Sequence, residues 1–552
     1  MESILASALN LHESQRMAPD ENQKGDHQTF TEMIVSCRSL SYYEGTSIKT
    51  AFPQILASVF AASYHIAVGI ALAYSAILIP QLEDPASDIK VTQSQSSWLA
   101  SVIVVVVPVG SIIAGLIMER FGRLNTIKIA AVPSVCGWIL IAMSTDFYTL
   151  LLGRLLTGLA SALGSSPAIV YITEVARPDM RGSLISACPT LASLGMVLAY
   201  CKGWYLNWRL VAWLSNVYVL VPAVLVYLIP DSPVWLVSRG RIDDAKRSLD
   251  WLNRLQPQPE RKTETLSEMQ MQVLLKEREI KLAEKRNSSR GGSPFYKLRE
   301  FLKPTGYKPL IILFFLFFFQ QYSGIYITLF YAVTFFQESG SQFNPYLASI
   351  LIGVVRLLMS MVNTLLLKRF HRRPCVMISA VSMAICMTVS GYFTYRIKQG
   401  DTGYSWMPVI CLLLYVCSSM IGFLTIPWTM TAELFPTEIR GLAHSVSYSM
   451  ANLLMFAAVQ SYRDLNTILG GSHGVQWFFA VISILGAIYA FIFLPETQGK
   501  KLSDIQKYFL HNTIYFGSKN TPSHTTKKQV PRVPVKTDVE KGQTARLVTN
   551  VE

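Results

Sequence analysis

Long apolar runs separated by polar stretches dominate the chain between residues 54 and 495. A helix that crosses a lipid bilayer needs roughly 20 predominantly apolar residues, and each run is of about that length. The runs lie near residues 54–80, 97–118, 125–144, 148–170, 183–203, 210–230, 309–336, 346–367, 374–395, 407–432, 442–462 and 475–495. The pattern therefore predicts an all-α membrane protein with twelve transmembrane helices.

The polar stretches divide the chain into five parts. We expect an N-terminal tail (1–51), a first six-helix bundle (52–230), a linker (231–305), a second six-helix bundle (306–495) and a C-terminal tail (496–552). Within the linker, apolar residues recur at helical spacing from 242 to 255, and a second helix is predicted from 266 to 286. These helices are expected to pack beneath the bundles, whereas the tails have the composition of disordered segments.

Positive charges collect in alternate connections between the runs. The linker, the connection with Arg120 and Arg123, and the connection with Lys368 and Arg372 all lie on one side, and the opposite loops carry few basic residues. Basic loops are retained in the cytoplasm, so this side and both termini are predicted to be cytoplasmic. The net charge of +14 therefore reflects topology and attraction to anionic lipids, and no nucleic-acid partner is expected.

Three short motifs of the first half recur in the second half, in the same order and at a nearly constant offset. The paired segments are Glu119–Arg123 and Lys368–Arg372, Glu174–Gly182 and Glu433–Gly441, and Pro230–Ser232 and Pro495–Thr497. We interpret this as a duplicated six-helix unit. Secondary transporters use such repeats to build a site at the membrane midplane that opens to each side in turn.

These motifs resemble those of the sugar porter branch of the major facilitator superfamily, over about residues 52–508. Further matching motifs are Gly115–Arg123, Gly153-Arg154, Gln320–Ile325, Ile426-Pro427-Trp428 and Pro495–Gly499 with Leu502. The segments CPTLASLG and LPETQGKKLSDIQKYF also resemble the insect facilitated trehalose transporter group. The resemblance implies two pseudo-symmetric six-helix bundles, facilitated diffusion of trehalose or a hexose by alternating access, and a plasma-membrane location.

The resemblance also implies a charged gate at the cytoplasmic ends of the helices. Its expected members are Glu119, Arg120, Arg123, Glu174, Arg181, Glu433 and Arg440. Ion pairs there would hold the halves together while the site faces outward, and would break when it faces inward. The alternative is that some of these charges only set the topology. Lys368 and His371 replace an acid and a glycine of the family motif, so the gate is predicted to be asymmetric.

Polar side chains within the apolar runs are the candidate substrate ligands. Gln320 and Gln321 interrupt a Phe-rich run, and an amide both donates and accepts hydrogen bonds, as sugar hydroxyls require. Trp428 offers a flat apolar face to a sugar ring. The resemblance supports substrate contact for all three, whereas interhelical hydrogen bonding and core packing are the alternatives.

Pro189, Tyr326, Arg356 and Ala451 stand where hexose porters usually carry amide residues. A site with fewer amides binds fewer hydroxyls directly, so specificity for glucose is not expected. Tyr326 and Arg356 remain candidate ligands by position. Arg356 lies near the middle of its run, and no Asp or Glu occupies the middle of any run. Either water and backbone carbonyls solvate this cation, or it binds an anionic part of the substrate.

The same lack of carboxylates favours downhill transport over proton coupling, which needs a titratable group in the pathway. His65 is the only such group in the first run, and a hydrogen-bonded, neutral imidazole is the simpler interpretation. No GxxxxGK[ST] motif or CxxC pair is present, so no enzymatic activity, metal or cofactor is expected. A proton-coupled sugar symporter, a carrier for an organic anion or another small polar solute, and a non-transporting nutrient sensor remain as alternatives.

Overall fold

The computed structural model describes residues 48–256, 265–288, 301–401, 403–436, 439–498, 500 and 502–511. Most of the predicted N-terminal tail, two stretches of the linker (257–264 and 289–300) and the C-terminal tail beyond residue 511 lie outside these residues. Helices and short connections account for the described part of the chain, and no strand occurs in it.

Within the described residues, twelve helical segments are long and apolar enough to cross a membrane, and they confirm the twelve predicted runs. We number them as spans 1 to 12 in chain order. Their bounds are Ile48–Glu83, Gln93–Phe121, Arg123–Met143, Phe147–Val175, Pro178–Tyr205, Trp208–Leu228, Pro304–Phe330, Pro345–Leu366, Arg372–Lys398, Met407–Thr431, Gly441–Ile468 and Ser472–Phe493. The first span begins at Ile48, a few residues before the expected start of the bundle.

Several spans are built from shorter helices with a break between them. Span 1 consists of Ile48–Ala62 and Tyr64–Glu83, span 2 of Gln93–Val105 and Val107–Phe121, and span 5 of Pro178–Ile185 and Ala187–Tyr205. Span 6 consists of Trp208–Ser215, Val217–Leu225 and the 3-10 turn Val226–Leu228. Span 7 consists of Pro304–Tyr322 and Ile327–Phe330 and continues into Ala332–Glu338, and span 10 consists of Met407–Ile421 and Ile426–Glu433. The unbroken helices are Arg123–Met143, Phe147–Val175, Pro345–Arg369, Arg372–Lys398, Arg440–Ile468 and Ser472–Phe493.

Glycines allow the closest approach between spans 1 and 5. A Cβ atom on Gly69 would lie 1.9 Å from the carbonyl oxygen of Ala192, and one on Gly195 would lie 2.1 Å from that of Ile66. Neither position can hold a larger residue unless the helices separate. Small residues of this kind let transmembrane helices pack by van der Waals contact, since lipid supplies no hydrophobic force between helices.

The linker helices pack against the first half. They run over Pro233–Ser238, Ile242–Leu252 and Leu266–Ser288. Trp235, Leu249 and Met271 share one buried apolar cluster. A matching helix, Leu502–His511, packs beneath the second half, where Lys308 Nζ donates to the Phe509 carbonyl at 2.9 Å.

Gly122 and His371 occupy corresponding positions in the two halves but differ in conformation. Gly122 has φ +97°, and a Cβ atom there would meet the Trp235 ring at 3.1 Å. His371 has φ −63°, an extended conformation that any residue adopts. The glycine is therefore needed only in the first half, where the chain takes a left-handed conformation against a linker tryptophan. This asymmetry explains why the second-half motif tolerates a histidine.

Candidate functional site

We call the end of the bundle that carries Arg123 and Arg372 the basic end, and the opposite end the far end. At the basic end of the first half, Arg123 forms a bidentate ion pair with Glu174. Its Nε lies 2.8 Å from Oε2 and its Nη2 lies 2.6 Å from Oε1. The hydroxyl of Ser232 donates to the same carboxylate. Arg123, Glu174 and Ser232 form the first triad.

The second half repeats this arrangement. Arg372 Nη2 lies 3.2 Å from Glu433 Oε1, and Thr497 Oγ1 donates to Glu433 Oε2 at 2.6 Å. These three residues form the second triad. Each triad takes one residue from each of the three repeated motifs, so the duplication seen in the sequence is also a duplication of contacts.

An acidic residue follows the last span of each half, Asp231 in the first and Glu496 in the second, and the two have different surroundings. Burial raises the pKa of Asp231, and the charges of Lys128 and Arg241 oppose that rise. Glu496, its counterpart, instead accepts hydrogen bonds from the backbone N–H groups of Arg372 and Arg373, at 3.0 and 3.1 Å. The Glu496 carboxylate therefore lies at the N-terminus of the helix Arg372–Lys398, a favourable place for a negative charge.

The other predicted gate residues lie apart from the triads. Glu119 and Arg120 are exposed, and the backbone carbonyl of Glu119 accepts the indole N–H of Trp235 at 3.0 Å. Arg181 Nη2 donates to the Ala176 carbonyl at 3.5 Å. The side chain of Arg440 lies outside the described part of the structure. Both triads join residues of one half only, so these ion pairs brace each half internally.

At the far end, an ion-pair cluster crosses between the halves. Arg463 of span 11 lies 2.6 Å from Glu83 of span 1 and 3.4 Å from Glu338. Glu338 also accepts from the Tyr462 hydroxyl at 2.8 Å and from Asn466 at 3.2 Å. We call these five residues the far-end cluster. In the sequence, Glu83, Glu338 and Arg463 look like isolated topology charges at helix ends, and no motif pairs them.

Three further contacts close the far end. Ser101 Oγ donates to Gln460 Oε1 at 2.7 Å, and the rings of Trp98 and Phe456 lie 5.6 Å apart. The Tyr200 hydroxyl donates to the Leu329 carbonyl at 3.0 Å, which ties span 5 to span 7. The first half therefore contacts the second through apolar, polar and charged groups at this end.

Gln320 is fully buried and binds the unwound backbone of span 10. Its Nε2 donates to the carbonyls of Phe423 and Leu424, at 2.7 and 2.8 Å, and its Oε1 accepts from Gln321 at 3.1 Å. Backbone carbonyls at membrane depth need internal donors, because no water replaces them there. The hydrogen bonds of this side chain are thus used within the protein.

Gln321 and Trp428 each hold one polar atom that the protein does not fully use, and Tyr326 lies beside Trp428. Gln321 Oε1 and Trp428 Nε1 are both buried without a well-aligned hydrogen-bond partner. The indole nitrogen lies beside the Tyr326 hydroxyl. The Trp428 ring packs edge-on against Phe317 and Tyr448, with centroids 4.9 and 5.5 Å away. These contacts hold the indole in one orientation.

Arg356 joins this group through Tyr326, whose ring centroid lies 5.9 Å from the guanidinium carbon. The side chain is 9% exposed. We call Gln321, Tyr326, Arg356 and Trp428 the central cluster. Direct contacts thus join Tyr326 to both Arg356 and Trp428, and the Trp428 ring contacts Phe317, which lies one helical turn before Gln321.

His65 lies in span 1 and is buried. Its Nδ1 is 3.2 Å from the Ala62 carbonyl oxygen, so this nitrogen carries the proton and donates. The imidazole therefore has a local structural contact of the kind expected for a neutral histidine.

The central cluster offers a small polar ligand an amide oxygen as acceptor, an indole N–H as donor, a phenol and a cation. Hydrogen bonds to an amide and contact with an aromatic face are the usual means by which a protein binds a sugar hydroxyl and a sugar ring. The central cluster contains no nucleophile paired with a base and no set of metal ligands, and the described residues as a whole contain no group of metal-ligating side chains.

Comparison with known proteins was made at the levels of family, sequence and structure. The family model described as sugar (and other) transporter matches residues 12–509. The facilitated trehalose transporter Tret1 of Culex quinquefasciatus is 32% identical over 462 residues, covering 83% of this chain and 86% of that protein. Tret1 of Polypedilum vanderplanki is 32% identical over 461 residues, covering 83% and 88%.

Solved structures support the fold. The proton:xylose symporter XylE bound to 6-bromo-6-deoxy-D-glucose matches with a TM-score of 0.61 at 21% identity, covering 83% of this chain and 99% of that one. The inward open conformation of XylE from E. coli matches with a TM-score of 0.61 at 22% identity, covering 83% and 98%. The predicted major facilitator fold is confirmed, and the relatives are transporters rather than enzymes. The chain is a multi-pass membrane protein that belongs to the sugar (and other) transporter family.

Proposed function

We propose that the protein carries a sugar of the trehalose or hexose class down its gradient by alternating access. The observation that carries this proposal is the central cluster, where the Gln321 amide oxygen and the Trp428 indole nitrogen lack well-aligned hydrogen-bond partners on the broken spans 7 and 10. Broken helices at the interface of repeats are where secondary transporters bind their substrates. The named function of the trehalose-transporter relatives supports the choice of substrate class.

Within the central cluster, Gln321 and Trp428 are the proposed sugar ligands. Gln321 supplies a free acceptor to a hydroxyl, and Trp428 supplies a donor and an apolar face. Tyr326 would orient the indole through its hydroxyl. Gln320 acts as a positioning residue, because its amide is used to hold the carbonyls of Phe423 and Leu424.

The two ends of the bundle are proposed to open in turn. In the structure the far end is held shut between the halves by the Arg463–Glu83 pair. The two triads keep each half rigid at the basic end, so that the halves move as bodies. Rocking of one half against the other would then exchange access between the two ends.

We further propose that the basic end faces the cytoplasm and that the protein resides in the plasma membrane. The positive-inside rule supports the orientation, since the connections with Arg123 and Arg372 and the linker lie at the basic end. Transport without proton coupling is supported by the contact of His65 with the Ala62 carbonyl, which gives that imidazole a structural role.

Counterflow in proteoliposomes tests this function. Full-length protein, loaded with unlabelled trehalose or glucose at equal pH on both sides, should drive transient accumulation of the labelled sugar, and a protonophore should leave it unchanged. Trp428→Ala should lower flux about tenfold, since an aromatic contact of 0.5–1.5 kcal/mol is lost along with a hydrogen bond. Trp477→Ala, which removes an exposed tryptophan of span 12, is the matched control. Uptake that requires an inward proton gradient would overturn the uncoupled mechanism.

A further inference from the structure

Arg356 is a buried cation that has no partner of opposite charge among the described residues. Its guanidinium makes no hydrogen bond to any described residue, and the residue is 9% exposed. The groups that interact with it electrostatically are Tyr326, Tyr200 and Tyr415, and no Asp or Glu is among them. Phenols are neutral at physiological pH, so the positive charge is uncompensated.

Arg154 shows what a purely structural arginine looks like in this membrane bundle. It is fully buried in span 4. Its Nε donates to the Leu99 carbonyl at 3.1 Å, its Nη1 to the Ala71 carbonyl at 2.8 Å, and its Nη2 to the Ser75 hydroxyl. Each of its three nitrogens has an acceptor from a neighbouring span. A second buried arginine that has no such acceptor among the described residues is therefore not explained by packing.

The position of Arg356 directs it toward the first half. Gly353, one turn earlier in span 8, is so close to span 5 that a Cβ atom would lie 3.0 Å from Val197. Ser360, one turn later, donates to Thr190 of the same span at 3.1 Å. Residues three and four apart share a helix face, so Arg356 lies on the face that meets span 5 across the central cluster.

The ring of Tyr326 does not compensate the charge. At 5.9 Å from the centroid, the guanidinium carbon lies at the outer limit of a cation–π contact. An arginine at membrane depth costs several kcal/mol, and such residues are found facing pathways and functional partners. The planar guanidinium fork matches the two oxygens of a carboxylate or a phosphate.

We propose that Arg356 is a binding site for an anionic group on the transported sugar, so that the carrier prefers acidic sugars to neutral ones. The proposal rests on the function proposed above and narrows its substrate class. Gln321 and Trp428 engage the ring and its hydroxyls, and Arg356 engages a carboxylate or phosphate on the same ligand. A sugar that lacks the acid leaves the cation unpaired and binds more weakly.

Two hexoses that differ only at one carbon make the sharpest test. D-glucose and D-glucuronate share a ring, and the acid replaces the C6 hydroxymethyl group with a carboxylate. Their KM values are measured by uptake into proteoliposomes of the full-length protein, at equal pH and with the membrane potential clamped at zero. Glucose 6-phosphate serves as a third probe, and it separates a phosphate-selective site from a carboxylate-selective one. At least one acid should show a KM about tenfold or more below that of glucose.

Variants at position 356 then assign the effect. Arg356→Gln removes the charge and should raise the KM for the preferred acid about tenfold to a hundredfold, so that the ratio of the KM for glucose to the KM for the acid falls toward one. Arg356→Lys keeps the charge but loses the planar pair of guanidinium donors, and its KM for the preferred acid should lie between those of the wild type and of Arg356→Gln. Arg396→Gln removes an exposed arginine that pairs with Asp401 far from the cluster, and should change neither sugar.

If the Gln variant does not fold, competition in the wild-type protein decides the question. The preferred acid should then inhibit glucose counterflow at a concentration about tenfold lower than that of unlabelled glucose. Glucose transport with no preference for either acid, or an acid preference that survives Arg356→Gln, would overturn the assignment and leave sugar transport intact. Failure to move any neutral or acidic sugar would instead refute the proposed function.

Discussion

Glu83→Gln should open the far end of the bundle. The substitution removes the only charged contact of the far-end cluster that crosses between the halves, because Glu338 and Arg463 both belong to the second half. Arg463 keeps Glu338 at 3.4 Å, so its charge is not stranded. The change therefore weakens the closure of the far end and leaves each half intact.

The size of the effect follows from the geometry of the pair. The two charged atoms are 2.6 Å apart, and the side chains are 9% exposed for Arg463 and 32% exposed for Glu83. Exposed pairs contribute at most about 1 kcal/mol, whereas breaking a buried pair costs about 3–5 kcal/mol. A partly screened pair falls between these limits, at about 1.5–2.5 kcal/mol. Since 1.4 kcal/mol is a factor of ten, the ratio of far-end-closed to far-end-open protein should fall about tenfold to sixtyfold.

Spin-label distances measure that ratio directly. Labels carried by non-canonical amino acids at exposed Asp88 and Ile468 report the separation of the halves at the far end, and the native cysteines need no change. Glu83→Gln should enlarge the long-distance population. Glu338→Gln is the matched control, because it removes a carboxylate from the same arginine without breaking the contact between halves. Identical distance distributions in the wild type and in Glu83→Gln would refute the reasoning.

Gln320→Ala should lower the melting temperature of the purified protein more than Gln321→Ala, because it leaves two buried carbonyls without a donor at about 1–3 kcal/mol. Gln321→Ala should instead raise the KM for sugar, and a reversed pattern would exchange their proposed roles. Glu174→Gln and Glu433→Gln should each reduce the maximal flux with little change in KM, measured by counterflow; normal flux in both would deny the triads a role. Trp235→Ala should expose the linker helices to limited proteolysis, since it empties the centre of their apolar cluster at a cost of about 3–5 kcal/mol; an unchanged cleavage pattern would contradict this.

The repeated motifs contain all six residues of the two triads at the basic end. The sequence paired Glu174 with Glu433 by position, and the structure places each beside the arginine and hydroxyl of its own half. Ser232, Arg372 and Thr497 could have been added to the predicted set, because they stand at matching places in the repeats. Their contacts could not be predicted from the sequence, because a hydroxyl or a guanidinium at a helix end has many possible partners.

The far-end cluster was not predictable in the same way. Glu83, Glu338 and Arg463 come from three different spans and carry no motif, and each alone looks like a charge at a helix end. Gln320 and Gln321 are adjacent and chemically identical, so the sequence treated them as one pair. Only the unwound carbonyls of span 10 distinguish Gln320, which binds them, from Gln321, whose amide oxygen has no hydrogen-bond partner.

The sequence by itself determined what depends on length, polarity and repetition along the chain. Twelve apolar runs, their basic connections and a duplicated unit follow from the thickness of a bilayer and the cost of placing charges in it. The tertiary structure decided which buried polar groups satisfy one another, because that depends on packing between helices far apart in sequence. Arg154 and Arg356 are the clearest case: two arginines in apolar helices, one surrounded by acceptors from its neighbours and one beside a tyrosine ring with no acceptor among the described residues.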